Sequence, residues 1–527
     1  MKREDFPIDK GLVDEFIKLN TGKWSDSTVS DKYVYINMSM VRMQMAWVIP
    51  KLLYAKGVAD RKNAGCIALT WGENEVLSEL FASMGINHVS LESMNRKDIK
   101  AFFLAGFKTL GILLKCKTGE DFKKVRLFGI PVGLSLYEDI LRTSTMSTIR
   151  SLRNKTCIKK IFHLLWMMYA LKDYIKKNPA CFNIADDLAY HEWMQTALFK
   201  ISGAKSHNVS VVGMEEILLD DKLHTVRRGT IRHEVYEKLI GSVTDEQIAI
   251  ADETLAKRFA GLNGRDIDRQ AFAGKKVLSK EDFVNKFGID PSKKTAVIMA
   301  HTFTDAVFNY GVSFYKDYYD WLERTLKIAR EITDVNFILK PHPTRAAYHE
   351  DADSIEMMYE RLKADHIFLL PDDVSAESIK NIADAVITIG GNAGAEFACL
   401  GVPAIITGNP YYKGFGFTLE PRTEKDYIAC LKKLPKIKRL NDEQIKNAKK
   451  VFYLNTNYMD DTRFSDEFAK LLQGEYKKMQ DEMNVKYFES NKGTKDYNDI
   501  ILKCIIEYEK THNLTDCEFY RKGYSIS

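Results

Sequence analysis

The sequence predicts an α/β protein of two Rossmann-like domains facing each other across a cleft, with a helical carboxyl-terminal segment. Three observations predict it. At 527 residues the chain is too long for one core of ordinary size, so two domains of roughly 200 to 250 residues are expected. Short apolar runs alternate with longer amphipathic ones, the pattern of parallel strands covered on both faces by helices. The alternation lapses after about residue 241, and the polar, glycine-punctuated "GLNGRDIDRQAFAGKK" suits a boundary. The expected division is 1–264, a linker 265–292, a second domain 293–422, and a helical 423–527 that packs back on the first domain.

Taken in order, "GCIALTWGENEVLSELFASMGINHVSLE" (65–92) reads as strand, glycine-containing turn, helix from about Glu75 to Met84, and a second strand at 88–91. Similar units follow in "VRLFGIPVGLSLYEDILR" (125–142), "PACFNIADDLAYHEWMQTALFKISG" (179–203) and "SHNVSVVGMEEILL" (206–219). Beyond the linker the spacing predicts strands at 295–300, 336–340, 366–371, 384–391 and 403–408, with helices near 315–331, 375–382 and 393–400. No repeat of fixed period interrupts the pattern.

Composition sets bounds on function. Apolar residues make up 45% and charged residues 28%, an ordinary folded balance. A net charge of +5 is too slight to argue for a nucleic-acid partner. The eight cysteines show no CxxC spacing, and "MKREDFPIDKGLVDEF" lacks the apolar core of a signal peptide, so a cytoplasmic setting is expected. The longest apolar run, "IFHLLWMMYAL" (161–171), is shorter than the ~20 residues a bilayer span needs. Residues 142–177 nevertheless hold nine Lys or Arg against one acid, Asp173. Such a segment, with Trp166 and Tyr169, can lie on the anionic inner face of the cytoplasmic membrane; it equally suits a helix buried on one side with solvated lysines at its ends.

The chemistry concentrates at three strand ends of the second domain, the edge at which open α/β sheets bind ligands. "MAHTFTDA" supplies His301 and Asp305. "FILKPHPTR" supplies Lys340, His342, Pro343 and Arg345, cations gathered where an anion could sit. "TIGGNAGAEFACLGVP" places Gly390, Gly391, Asn392, Ala393 and Gly394 directly before a helix, so that backbone N–H groups and a helix dipole converge on a phosphate-sized space. The same glycines also suit a tight turn that needs them for its backbone angles. Glu396, in the first turn of that helix, is placed to accept ribose hydroxyls of a nucleotide.

"KPHP", followed some fifty residues later by "ADAVITIGGNAGAEFACLGVPAIITG", resembles the carboxyl-terminal half of bacterial capsule polysaccharide glycosyltransferases of the GT-B fold. Within that group it looks like the enzymes related to Kdo transferases, and more remotely like sialyltransferases with an "HP" motif. The resemblance is specific at 295–305, 337–345 and 384–420. It implies transfer from a nucleotide-activated sugar, with His342 contacting the donor phosphate, Gly391 to Gly394 as the loop beside it, and Glu396 on the nucleotide side. Residues 293–422 would then hold the donor and 1–264 the glycan or glycolipid acceptor. This chain carries Asn392 and Ala393 where many capsule enzymes have Ser or Thr.

Sugar transfer also needs a base for the acceptor hydroxyl. Asp187 and Glu73 are the leading candidates, with Glu138, Asp139 and Asp186 also at expected strand ends; each could instead cap a helix or be a surface charge. No cofactor or metal is expected: "DADS" (351–354) has DxD spacing but reads as solvated charge, and no His or Cys cluster has zinc spacing. Two other activities fit the same features: a CDP-polyol phosphotransferase of the teichoic-acid type, and a sugar-nucleotide-binding component of an assembly complex without catalysis.

Overall fold

The computed structural model describes residues 2–24, 30–39, 44–185, 189–211, 213–217, 233, 236–262, 274–308, 314–343, 345, 353–457, 463–482 and 491–526. The chain divides into two compact units: 1–139, 151–225 and 461–527 form the first, and 140–150 with 226–460 the second.

Unit 1 is built on a six-stranded sheet of order β3-β2-β1-β4-β5-β6, with β1 Tyr33–Met38, β2 Gly65–Thr70, β3 Asn87–Ser90, β4 Ala180–Ala185, β5 Lys205–Ser210 and β6 Gly213–Glu216. All neighbours are parallel except β5 and β6. Every residue of β1 and β2 is buried, as expected of central strands with helices on both faces. The helix Glu75–Ser83 starts where the Asn74 side chain accepts from the Leu77 N–H at 3.1 Å, satisfying one of its orphan donors. The core draws on all three chain segments, with Phe464, Phe468, Ile501 and Phe519 packed among residues of β1, β2 and the helix Met45–Lys62. That helix crosses Glu518–Tyr524 at two glycines. A Cβ on Gly57 would lie 2.1 Å from the Tyr520 carbonyl, and one on Gly523 would lie 2.2 Å from that of Tyr54.

Unit 2 carries a wholly parallel sheet of order β12-β11-β10-β7-β8-β9: β7 Lys294–Met299, β8 Val335–Lys340, β9 Ile367–Leu369, β10 Ala385–Thr388, β11 Ala404–Ile406 and β12 Thr418–Leu419. Counted along the chain, each unit follows the Rossmann order 3-2-1-4-5-6. The expectation of two Rossmann-like domains holds.

Three local expectations differ. Residues 125–131 join no sheet; Leu127 and Ile130 make an isolated bridge around Phe128 (φ 54°) and Gly129 (φ 84°), because a two-residue reversal uses up the run before it can extend. The first strand, β1, carries "YVYINM" without polar alternation and was not expected. The stretch 226–264, expected in the first domain, groups with unit 2: the helix Asp245–Phe259 buries Ala251, Leu255 and Phe259 in a core shared with Ala448, Val451 and Phe452 of the helix Asp442–Asn457.

Candidate functional site

Strand register assembles the site on unit 2. Met299 of β7 pairs with Lys340 of β8, and Ala296 of β7 with Ala385 of β10, so the chain leaves the three strands at one edge. His301, His342 and the segment Ile389–Gly394 follow side by side. β7 and β10 flank the point where strand order reverses, the place at which open α/β sheets take ligands.

His301 occupies that point. Its Nε2 lies 3.1 Å from Thr388 Oγ1, and its ring stacks on Tyr318 with centroids 4.6 Å apart. The Thr388 hydroxyl also accepts from the Gly391 N–H at 3.2 Å, and a Cβ on Gly391 would come within 3.5 Å of the His301 ring. At Gly394 the reason for glycine is another side chain: a Cβ there would fall 2.2 Å from the Tyr412 hydroxyl, which donates to the Gly391 carbonyl at 2.7 Å. Gly390, Gly391 and Gly394 all lack positive φ, so close approach rather than turn geometry explains the last two. The N–H groups of Gly391, Gly394, Ala395 and Glu396 are engaged; those of Asn392 and Ala393 take no partner among the described residues.

Lys340 ends β8 with only 4% of its surface exposed, and its Nζ has no hydrogen-bond partner among the described residues. Burial, reinforced by Lys275 and Arg345 and opposed by Asp372, lowers its pKa from 10.5 to about 8. Burial, then the charges of Lys340 and Arg345, bring His342 down to about 4. His301 falls to about 3 through burial and the neighbouring His342. These shifts favour the neutral imidazole at both positions, and an anion beside His342 would raise its pKa.

Other expected residues are placed differently. Arg345 is held by Asp372 through two bonds of 2.6 and 2.7 Å and by Glu356 at 2.6 Å, so its fork is already occupied. Glu396 is buried and pairs with Arg258 at 2.9 Å; an internal cation meets this carboxylate where a ribose was expected. Asp305 lies half-buried in the turn after His301, its N–H donating to the Thr302 carbonyl at 3.3 Å. Pro343 is half-buried beside His342. Asp353 of "DADS" accepts from Tyr319 at 2.6 Å and Arg361 at 2.8 Å, and bonds Arg150. Sequence reasoning missed Thr388, Tyr318, Lys275 and Asp372. Lys275 lies in a stretch read as linker, and Asp372 in "LLPDD", where a solvated acid is the ordinary reading.

On unit 1, Asp187 falls outside the described residues, and Glu73 is exposed in the turn after β2. A different pair is buried there. His191 Nδ1 lies 2.6 Å from Asp139 Oδ2, and its backbone N–H reaches the same oxygen at 3.3 Å. The Trp71 ring packs 5.1 Å from the imidazole, and His191 Nε2 has no hydrogen-bond partner among the described residues. Near the carboxyl end of β1, Ser39 Oγ lies 2.9 Å from Asn37 Oδ1, 3.3 Å from Glu192 Oε1 and 3.1 Å from Gln195 Nε2.

Comparison with known proteins adds a family. Residues 275–459, about a third of the chain, match the sequence profile of a family described as capsule polysaccharide biosynthesis protein. The match spans all three motif segments of the resemblance drawn from the sequence and bears it out. No curated protein matches. Among solved structures, the β-Kdo 2,4-transferase of Thermosulfurimonas dismutans KpsC is 13% identical, with 52% of this chain and 80% of that one covered at a TM-score of 0.33. The β-Kdo 2,7-transferase of the same protein gives 15%, 57%, 86% and 0.31. A UDP-GlcNAc 2-epimerase from Neisseria meningitidis, bound to UDP-GlcNAc, gives 11%, 81%, 99% and 0.22.

Proposed function

We propose, from the premise that residues 275–459 carry the sequence pattern of capsule polysaccharide biosynthesis proteins, that this chain is a glycosyltransferase of the GT-B type. It moves a sugar from a nucleotide-activated donor to a capsule or surface glycan, and the resemblance favours a CMP-linked ulosonic acid as donor. One observation carries the reading: at the carboxyl edge of a Rossmann sheet, one strand from the switch point, a buried lysine whose ammonium has no hydrogen-bond partner among the described residues lies near His342, which in turn neighbours His301. Burying an ammonium in this way costs stability. A phosphate would offset that cost by supplying the missing acceptor.

In this reading Lys340 and His342 stabilise the charge that develops on the leaving phosphate, and the N–H groups of Asn392 and Ala393, which take no partner among the described residues, add two donors. Arg345, tied to Asp372 and Glu356, positions the segment and does not bind the donor directly. Transfer also needs a base for the acceptor hydroxyl. Glu73 and Asp187 are candidates, and His191 joins them: a carboxylate fixes its Nδ1, which leaves Nε2 to take a proton.

Thermal shift against CMP, CDP, UDP and GDP tests the donor site, because a ligand raises stability by about RT ln(1 + [L]/Kd). Stabilisation by one nucleotide, together with its release during formation of a glycosidic product, is expected. A phosphodiester product would assign the chain to polyol phosphate transfer. Binding without turnover for any acceptor would leave a sugar-nucleotide-binding component, and no nucleotide binding at all would sink the reading.

A further inference from the structure

The helix Ile99–Lys115 is packed the wrong way round for a protein surrounded by water. The face it buries carries Ala101, Ala105, Thr109 and Ile112, mostly small residues set against the helix Lys155–Lys177. The face it shows to solvent carries Ile99, Phe103, Phe107, Leu110 and Leu114, spaced 4, 4, 3 and 4 residues apart and so aligned in one stripe. Ile99 is 71% exposed and Phe107 72%. Phe102 widens the stripe by packing edge-on against Phe162 and Trp166 of the neighbouring helix, at 5.1 and 5.0 Å. Isolated exposed apolar side chains are ordinary, but a continuous stripe of this size marks an interaction surface.

Charge identifies what covers it. The helix contains Lys100, Lys108 and Lys115 and no acid. Exposed Lys97 and Lys117 flank the helix in sequence, with Asp98, Glu120 and Asp121 as the nearest acids, and Lys155 and Lys159 are exposed on the adjacent helix. The two helices run antiparallel, with Arg153 reaching the Leu113 carbonyl at 3.5 Å and Trp166 the Asp98 carbonyl at 3.3 Å, which brings the lysine-rich start of the second helix alongside the end of the first. Protein interfaces are depleted in lysine, and a two-fold copy would set the same cations against each other. An apolar stripe with Phe and Leu, flanked by lysines of one sign, matches the interface of an anionic bilayer, where apolar side chains enter the acyl boundary and lysines meet the headgroups. A 17-residue helix is about 25 Å long, and no described helix is long and apolar enough to cross a membrane.

We infer that unit 1 docks on an anionic lipid surface through the stripe Ile99–Leu114, the helix lying in the plane of the interface. The expected membrane segment, 142–177, takes a secondary part in this assignment: its helix Lys155–Lys177 commits Ile161, Leu164, Leu165, Met168 and Leu171 to the interior and adds its exposed lysines and the half-buried Phe162 and Trp166 beside Phe102. The inference does not depend on the sugar-transfer reading, since docking is measured without donor or acceptor.

Flotation of the full chain with vesicles of phosphatidylcholine containing phosphatidylglycerol tests it, with pure phosphatidylcholine vesicles as reference. The wild type should float with the anionic vesicles, and raising salt from 50 to 500 mM should weaken the association. Phe103→Gln with Phe107→Gln should reduce partitioning by about tenfold or more, and Lys100→Gln, Lys108→Gln and Lys115→Gln by about fivefold each at low salt. Lys100, Phe103, Phe107 and Lys115 are exposed and Lys108 is half-buried, so melting temperature and nucleotide-induced thermal shift should stay at wild-type values. Failure of the wild type to float, or full partitioning by the Phe103/Phe107 variant, would overturn the inference. So would concentration-dependent dimers abolished by the same variant without any effect of vesicles, which would give the stripe to a second copy of the chain.

Discussion

At the residue scale, Lys340 sets the energetics of the candidate site. Its pKa is about 8 in the fold against an ordinary 10.5. Between those values the unfolded chain binds more protons, so the stability of the anion-free protein should rise with pH across the window from about 8 to 10.5. Below pH 8 the full penalty stands, about 3 kcal/mol by the usual conversion. Lys340→Met should therefore raise the melting temperature at pH 7 while lowering donor affinity, a pairing that a purely structural lysine would not give. A bound phosphate raises the lysine pKa, so donor affinity should be fully supported by Lys340 below about pH 8 and lost as pH rises through the bound-state value. His342, near 4 when free, should take up a proton on donor binding wherever its bound pKa exceeds the pH. Calorimetry in two buffers of different ionisation enthalpy counts that proton. His342→Ala should leave folding nearly intact and cut turnover by about 100-fold, the scale of losing one electrostatic stabiliser; a destabilised but fully active variant would reassign the histidine to packing beneath the prolines.

At the scale of elements, the glycine-rich segment shows what a sequence can and cannot tell. That Gly391 and Gly394 belong to a tight strand-to-helix segment was legible; that a side chain at Gly394 has no room was not. Tyr412 fills that space, eighteen residues beyond Gly394, and reaches it only once β11 is paired with β10. Gly394→Ala should cost roughly 1–3 kcal/mol through the Tyr412 clash, read as a lower melting temperature with or without nucleotide. The strands were legible wherever an apolar run ended in turn residues, and so was the cationic strand end at 337–345. The partners of those cations were not: Arg345 meets Asp372 across 27 residues of chain, and Glu396 meets Arg258 across 138. Ion pairs closed by tertiary folding leave no local pattern. The outward stripe of Ile99–Lys115 escaped for a related reason, since periodicity shows that a helix has an apolar face but not which face the neighbouring helix covers.

For the whole molecule, the order in which the two units become complete follows from the crossing of Met45–Lys62 and Glu518–Tyr524. Unit 2 is finished by residue 460, whereas the first needs 461–527 and shuts only when Gly523 meets the backbone of Tyr54. As the chain leaves the ribosome, the half made first must wait for the half made second, with its docking groove for Phe519 open in the meantime. A chain stopped at residue 460 should keep the protease resistance of 274–457 and lose that of 44–185, as limited proteolysis with mass spectrometry would show. Gly523→Ala should leave the full-length chain with the same selective fragility. Chaperone dependence during synthesis should accordingly fall on unit 1, the unit that carries the outward apolar stripe, and a slow refolding phase should report its closure.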